Sequence, residues 1–323
     1  RSAVRSSIAT IWWCWPPGSA AAANRSSQTG VGTLHSLAMM TIDDLGRRAK
    51  AASRRLAVAT AAEKTAALLT MADHVTKAAD EILAANAQDM DTAREMGIGK
   101  ALLDRLLLTP ERISGIVGGL RKVAALPDPV GNQTGGWQLY NGIRLQRVRV
   151  PLGVIAVIYE ARPNVTADAA GLCVKSGNAA LLRGSSYALR SNLAIGAALQ
   201  AGLEEAGFPA ESVQIVEDTT RDGARALMTA TDWVDLLVPR GGPGLISAIE
   251  AEATVPVVID GAGNCHVYVD AAADLDNAEA IVINAKVQRP GVCNAAEKLL
   301  VDVAVADEFL PRVVAALAAN DVE

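Results

Sequence analysis

The chain has few of the residues that build metal sites, disulfide frameworks and membrane spans. Its four cysteines form no CxxC pair and its three histidines are scattered among 323 residues. Neither a zinc site nor a disulfide framework is therefore expected, and a reducing cytoplasm is favoured. No uninterrupted apolar run reaches 18 residues, which argues against a transmembrane helix. The net charge of −5 argues against a nucleic-acid-binding surface.

What the chain does have is enough apolar sequence for two domains, since half of its residues are hydrophobic. Residues 1–39 stand apart from the rest. They contain three arginines, no acidic residue and three of the five tryptophans, but no periodic apolar pattern. Because an amphipathic pattern begins only at Met39 or Met40, we expect residues 1–39 to be a disordered, non-native leader.

Helical signals dominate residues 40–136, which we assign to N-terminal helices and part of a cofactor domain. Thr60 to Glu63 has the spacing of a capping box, and Thr109-Pro110 predicts a second helix start. Residues 137–150 predict a hairpin, because two strand patterns flank Asn141-Gly142, the signal of a type I′ turn.

Residues 151–262 alternate short aliphatic strands with helices, which predicts a parallel sheet covered on both faces. The predicted strands are GVIAVI, AALLR, VQIV, DWVDLLV and VPVVI. Residues 263–323 then predict a further strand, KLLVDVAV, and a helix from Asp307.

Two loops at the predicted carboxyl edge of the sheet could hold a dinucleotide. One is Arg183-Gly184-Ser185-Ser186, which offers a cation and two hydroxyls. The other is Arg240-Gly241-Gly242-Pro243-Gly244, whose glycines allow the backbone to approach a phosphate at a helix start. Neither loop matches GxGxxG, and a lone glycine-rich turn is more often structural.

Cys293 is the candidate nucleophile, because its thiol lies between a glycine turn and Asn294 in NAKVQRPGVCNAAE. A thiolate attacks acyl carbon, and the resulting thioester can accept a hydride. An arbitrary cysteine is more often a small buried hydrophobe. The surrounding motifs, however, resemble the γ-glutamyl phosphate reductases of the aldehyde dehydrogenase superfamily. The similar segments are RVRVPLGVIAVIYEARPNVTADAAGLCVKSGNAALLRGSS, LLVPRGGPGLI, VPVVIDGAGNCHVYVDAAADLD and NAKVQRPGVCNAAEKLLVD.

The resemblance implies an aldehyde dehydrogenase-like α/β fold: a Rossmann-type parallel-sheet cofactor domain in residues 151–262, an incomplete catalytic domain and an oligomerisation hairpin. It implies NADPH-dependent reduction of L-glutamyl 5-phosphate to L-glutamate 5-semialdehyde in cytoplasmic proline biosynthesis, with a homo-oligomer and glutamate 5-kinase as candidate partners. The resemblance implies that Cys293 is the nucleophile and that Asn164 donates a hydrogen bond to the oxyanion. It also implies cofactor binding for both glycine loops and substrate anion binding for Arg162 and Arg289. Many relatives carry GGK where this chain has Gly184-Ser185-Ser186, which leaves the exact ligands of the 2′-phosphate open, although Arg183 is retained.

Several alternatives stay open at this point. Asn164 could instead cap the following helix, and the two arginines could be solvated surface residues. Asp260 lies near the position of the water-activating glutamate of hydrolytic aldehyde dehydrogenases, but a reductase needs no such base. The competing functions are a hydrolytic aldehyde dehydrogenase and a non-catalytic nucleotide-binding fragment. Cys173 is expected in the core, and neighbouring Cys265 and His266 are not expected to pair, since adjacent strand residues face opposite sides.

Overall fold

The structure is a computed structural model that describes residues 40–259, 263–290 and 292–322. The predicted leader, residues 1–39, and Asp260 lie outside the described residues. Five helices open the described part of the chain: α1 Ile42–Ala57, α2 Ala61–Lys77, α3 Ala79–Glu95, α4 Lys100–Leu106 and α5 Pro110–Ala125.

The predicted helix starts at Thr60 and Thr109 are confirmed. Thr60 accepts a hydrogen bond from the backbone of Glu63, whose carboxylate accepts one from the Thr60 backbone, so the capping box is complete. Thr109 accepts from the backbone N–H of Arg112, and Pro110 occupies the first helical position. Local sequence thus fixes where α2 and α5 begin.

The predicted hairpin is present, with strands β1 Gln133–Gln138 and β2 Arg144–Val148. It begins four residues before the predicted boundary, and its turn is not type I′. Gly142 has a φ of 88°, whereas Asn141 does not adopt a positive φ, which type I′ requires at both central positions. The Leu139 backbone pairs instead with both Gly142 and Ile143, which closes a longer loop with Gly142 as its left-handed residue.

Four parallel strands form the main sheet: β3 Val154–Tyr159, β4 Ala179–Arg183, β5 Val213–Ile215 and β6 Leu236–Arg240, in the order β5-β4-β3-β6. Helices α6 Asn164–Lys175, α7 Leu189–Glu205, α8 Arg221–Thr229 and α9 Pro243–Glu252 follow the four strands in turn. The predicted fifth strand VPVVI is wrong as a strand, since only a bridge between Val257 and Leu237 forms. Pro256 lacks the N–H group that would extend the ladder.

Helices cover both faces of this sheet. Helix α6 contacts β4, helix α7 contacts β5, and the two helices contact each other. Helix α1 contacts β3 and β4 and packs against α8. Consecutive residues of β3, β4 and β5 are consequently buried, as parallel sheets require. Gln214 joins β5 to α1, because its buried side-chain amide donates to the Leu45 carbonyl of α1 at 2.8 Å.

A second, smaller parallel pair follows, β7 His266–Val269 and β8 Lys298–Val301, with α10 Leu275–Val287 and α11 Val303–Ala318. The predicted strand KLLVDVAV is too long, and the helix begins four residues before Asp307. Asp302 is the reason, because its carboxylate accepts from the Ala304 backbone at 2.9 Å and caps α11.

Candidate active site

The winding of the main sheet reverses beside β3. The chain passes from β3 to β4 and β5 on one side and returns to β6 on the other. Ligands of open α/β sheets bind in the crevice at this reversal, outside the carboxyl ends of the strands. Arg183 pairs in register with Ile158, and Arg240 pairs with Tyr159. Both predicted cofactor loops therefore begin at the same edge, roughly 10 Å apart across β3.

The glycine loop before α9 already holds a carboxylate. The Gly242 N–H donates to Glu160 Oε1 at 2.7 Å, and a Cβ on Gly241 would lie 3.2 Å from the Glu160 side chain. Glu160 itself follows β3, and its N–H donates to the Arg240 carbonyl. The backbone of this loop comes close to Glu160 at the start of a helix, which is the position expected of an anion-binding site. In this structure the carboxylate of Glu160 is the anion bound there.

Cys293 opens into a cavity of about 380 Å³ beside this loop. The thiol-bearing residue is exposed, and the cavity is lined by Glu160, Arg162, Arg240, Gly241, Gly242, Pro290, Val292 and Cys293. Cys293 thus meets the predicted Arg240–Gly242 loop and the predicted anion-binding Arg162. This arrangement puts the candidate nucleophile at the switch point of the sheet.

The backbone of Cys293 is packed tightly against the segment that precedes β7. A Cβ on Gly263 would lie 2.0 Å from the Cys293 carbonyl oxygen, so no larger residue fits there. Cys265 Sγ donates to the same oxygen at 3.4 Å. His266 instead pairs with the Asn264 carbonyl through Nδ1, so Cys265 and His266 form no pair, as expected.

A neighbouring cavity of about 430 Å³ shares Arg162 with the first. Arg289 and Asn164 line it, so these two predicted residues lie together, but neither lines the cavity of Cys293. Asn164 is the first residue of α6 and does not cap it; its amide donates to Asp168 Oδ2 at 3.0 Å. The capping alternative is therefore wrong, and the oxyanion role stays a prediction.

Arginines concentrate around Arg162. Partial burial lowers the pKa of its guanidinium, and the positive charges of Arg105, Arg240 and Arg289 lower it further, while Glu160 opposes them. Desolvation raises the pKa of Asp168 in the same cavity, and its hydrogen bond from Asn164 lowers it. The site is therefore strongly cationic, which suits an anionic substrate.

The other predicted cofactor loop is held by the body of the domain. Arg183 Nη2 donates to the carbonyls of Thr219 and Thr220, and its Nε is buried without a hydrogen-bond partner. Gly184 must be glycine, because a Cβ would lie 2.1 Å from Asn192 Nδ2. Ser185 accepts from the Tyr187 N–H and caps a short 3₁₀ turn. Gly184 therefore serves packing against α7, and only the guanidinium nitrogen that has no partner among the described residues fits a group that accepts a hydrogen bond, such as a dinucleotide phosphate.

Cys173 differs from Cys293 in its exposure to solvent. It is buried in the main core, as predicted, and burial raises the pKa of its thiol to about 12. In the described ranges no group of three His, Cys, Asp or Glu side chains could hold a metal ion. None of the helices described is long and apolar enough to cross a bilayer.

Comparison with known proteins decides the family. The aldehyde dehydrogenase family profile matches residues 16–323. The chain belongs to the aldehyde dehydrogenase family. It is 54% identical over 278 residues to a gamma-glutamyl phosphate reductase of Moorella thermoacetica, covering 86% of this chain and 66% of that protein. The expected resemblance and fold class are confirmed.

Solved structures agree with the fold. A gamma-glutamyl phosphate reductase from Thermotoga maritima superimposes with a TM-score of 0.82 at 45% identity, covering 86% of this chain and 67% of that one. An engineered glycolyl-CoA reductase with bound NADP⁺ superimposes at 0.62 with 20% identity, covering 86% and 59%. The chain thus spans about two thirds of the length of the reductases it matches.

Sequence reasoning missed two residues of the second cavity, Arg105 and Asp168. Arg105 lies in the short α4, whose sequence KALLDRL carries no motif. Asp168 lies one turn into α6, within the segment that supplied the resemblance. Only its i, i+4 spacing from Asn164 could have indicated a contact, because residues four apart share a helix face.

Proposed function

We propose that the chain reduces L-glutamyl 5-phosphate to L-glutamate 5-semialdehyde with NADPH and releases phosphate, a cytoplasmic step of proline biosynthesis. One observation carries the proposal. Cys293 opens at the reversal of the sheet into a cavity that also contains the Arg240–Gly242 loop and Arg162. A nucleophile, a dinucleotide-type loop and an anion-binding side chain therefore face one space. The identity of the relatives supports the substrate class.

The chemistry begins at the thiolate of Cys293. Its sulfur attacks the γ-carbonyl carbon, the carbon–phosphate oxygen bond breaks, and phosphate leaves with the electron pair, so a thioester remains on Cys293. Arg162 lines this cavity and attracts the acyl phosphate through its positive charge. Asn164 is assigned to stabilise the oxyanion, which requires the substrate to extend from its own cavity toward the thiol.

The cofactor fits the carboxyl edge of the sheet. When bound, NADPH would supply the hydride to the thioester carbon. The carbon–sulfur bond then breaks, so the semialdehyde leaves and Cys293 regains its thiolate. Arg183, Gly184 and Ser185 are assigned to the adenosine ribose and its 2′-phosphate, and Arg240, Gly241 and Gly242 to the pyrophosphate. The buried Arg183 Nε, which has no partner among the described residues, supports the first assignment. The Gly242 N–H supports the second, because it binds an anionic group, the Glu160 carboxylate, in this structure. A related fold with bound NADP⁺ is consistent with both.

The test is turnover by the Cys293→Ala variant, with Cys173→Ala as the matched control. We expect NADPH consumption with L-glutamyl 5-phosphate to fall by about 10⁴-fold or more in Cys293→Ala, because the thioester route is removed. NADPH binding should be nearly unchanged. Turnover that survives the substitution would refute the thioester mechanism. Reaction of a free aldehyde with NAD and water, but not of the acyl phosphate, would indicate the hydrolytic alternative.

Self-association through the hairpin belongs to the same proposal. All of β2 and most of β1 are exposed, and large apolar side chains lie along the hairpin: Trp137, Tyr140, Ile143, Leu145 and Val148. Exposed apolar patches of this kind mark protein contacts. We assign the surface to a second copy of the chain. A glutamate 5-kinase, which makes the acyl phosphate, is the proposed functional partner.

A further inference from the structure

The second cavity contains cations that form no ion pair with any carboxylate in the described part of the chain. Arg105, Arg162 and Arg289 line it, and Arg112 lines it as well. Arg112 is paired, since it binds the Asp104 carboxylate at 2.7 Å. Within residues 40–259, 263–290 and 292–322, no carboxylate forms an ion pair with Arg105, Arg162 or Arg289. These three guanidinium groups are therefore available to a ligand that carries negative charge.

The same cavity also holds one acidic group that no cation neutralises. Asp168 has no ion-pair partner among the described residues, and its Oδ2 accepts only the Asn164 amide. The cavity therefore presents one negative group together with three positive ones. A phosphate or a dicarboxylate carries only negative charge and would have no group to pair with the carboxylate. A ligand with an anionic group and an ammonium group close together matches it better.

Resting on the proposed function, we propose that Arg105 and Asp168 recognise the amino-acid head of the substrate: Arg105 binds the α-carboxylate and Asp168 the α-ammonium. The acyl phosphate end of the same molecule then extends past Arg162, which lines both cavities, toward Cys293. Arg289 and Pro290 are adjacent in sequence and line the two cavities in turn, so the cavities adjoin. The cavity of Cys293 provides the chemistry, and this one selects the substrate.

Charge balance supports this division. Arg105 and Asp168 carry no net charge between them, like the amino-acid head that they are proposed to bind, whereas Arg162 and Arg289 leave a formal charge of +2 for the acyl phosphate, with Arg112 and Asp104 cancelling. At neutral pH the substrate carries about −2: an acyl phosphate near −2, a carboxylate at −1 and an ammonium at +1. Arg162 is the shared cation, and its neighbours Arg105 and Arg289 already raise the energetic cost of its charge. An anionic ligand would relieve that repulsion.

Two substrate analogues separate recognition of the head from the chemistry. Butyryl phosphate has the acyl phosphate but neither head group, and glutaryl phosphate has the carboxylate but no ammonium. In Arg105→Ala we expect kcat/KM for L-glutamyl 5-phosphate to fall by about 100-fold, the size of a lost charge-assisted pair, with butyryl phosphate changed by less than about threefold. In Asp168→Asn, L-glutamyl 5-phosphate should lose about 10-fold or more and glutaryl phosphate almost nothing.

Arg121→Ala is the matched control, since this arginine of α5 is exposed, paired with Asp73 and outside the cavity. Arg105→Lys keeps the charge and should recover part of the loss if Arg105→Ala melts early. Equal losses for L-glutamyl 5-phosphate and butyryl phosphate in Arg105→Ala would place Arg105 at the phosphate and overturn the inference. So would a wild-type chain that reduces both acyl phosphates equally well, although the reductase proposal would survive.

A binding measurement keeps the inference testable if the wild-type chain proves inactive and the proposed function fails. L-Glutamate should slow alkylation of Cys293 in the wild type, because it fills the adjoining cavity, whereas butyrate should not. Arg105→Ala should abolish that protection. Absence of protection by L-glutamate, or equal protection in Arg105→Ala, would overturn the inference.

Discussion

The two parallel sheets of this molecule look alike in sequence and differ in burial. Strand β4 reads AALLR and β8 reads KLLV, yet the first four residues of β4 are buried whereas no residue of β8 is. The main sheet has helices on both faces and joins one large core. The β7–β8 pair has a small cluster of four buried residues: Val269, Val282, Phe309 and Val313. We therefore expect the main sheet to contribute most of the stability, and the candidate nucleophile, Cys293, lies in the less buried part of the molecule.

The largest expected contrast is between the thiols of these two regions. With a pKa of about 12, Cys173 is a thiolate in only about one molecule in 10⁴ at pH 8, and it is also shielded from reagents. Exposed Cys293 should therefore react with iodoacetamide at least about 1,000-fold faster. Mass spectrometry of tryptic peptides would measure both rates. Comparable rates in the folded protein would mean that the region around Cys173 opens freely.

The same shift has a consequence for stability. Folding raises the pKa of Cys173 above the ordinary value of about 8.5, so the folded state holds its proton more tightly than the unfolded state. Above that ordinary pKa the unfolded chain releases the proton first, and the folded state loses stability as pH rises. Cys173→Ala should weaken this alkaline loss, whereas substitution of exposed Cys293 should not.

A second prediction compares two leucines at similar places in the two sheets. Leu182 of β4 is fully buried, whereas Leu300 of β8 is 49% exposed. Leu182→Ala should lower the free energy of unfolding by about 3 kcal/mol, because it removes buried apolar surface and leaves a cavity. Leu300→Ala should cost under about 1 kcal/mol, since water already reaches its side chain. Urea unfolding followed by circular dichroism gives both values.

That comparison fails if the two substitutions cost the same. A large loss for Leu300→Ala would mean that a second copy of the chain, or another segment, covers β8 in solution. Measuring the Leu300→Ala variant at two protein concentrations separates these cases, because only association makes the unfolding midpoint depend on concentration.

The sequence predicted what local chemistry decides. Residue spacing, capping residues and apolar runs were enough to predict the helix starts at Thr60 and Thr109, the four strands of the main sheet and the burial of Cys173. The predictions were wrong where a single side chain decides the local secondary structure. Asp302 caps a helix, so the second half of a predicted strand is helical. Pro256 similarly reduced a predicted strand to a single bridge.

The candidate site shows the same division. Motifs brought Cys293, Arg162 and the Arg240–Gly242 loop to one cavity. Arg105 was not predictable, because α4 reaches the cavity only through tertiary packing. The hydrogen bond of Glu160 to the Gly242 N–H was equally invisible, since 82 residues separate the two. Contacts over such distances depend on the completed sheet rather than on any local pattern.

The smallest predicted effect is on cofactor binding, and it concerns Arg183 at the carboxyl edge of the main sheet. Its Nη2 is held by the Thr219 and Thr220 carbonyls, so it is positioned before any cofactor binds. Arg183→Ala should weaken NADPH binding by about 10-fold or more and NADH binding by less than about threefold, because only NADPH carries the 2′-phosphate that a guanidinium can bind. Fluorescence titration would give both dissociation constants, with Arg225→Ala of α8 as control, since that arginine is paired with Glu252. Arg183→Lys should fall between the two, because it keeps the charge but loses the fork that holds both carbonyls. Equal weakening of NADPH and NADH would show instead that Arg183 only braces the start of α8, and the 2′-phosphate would then have to be bound by other residues of the crevice.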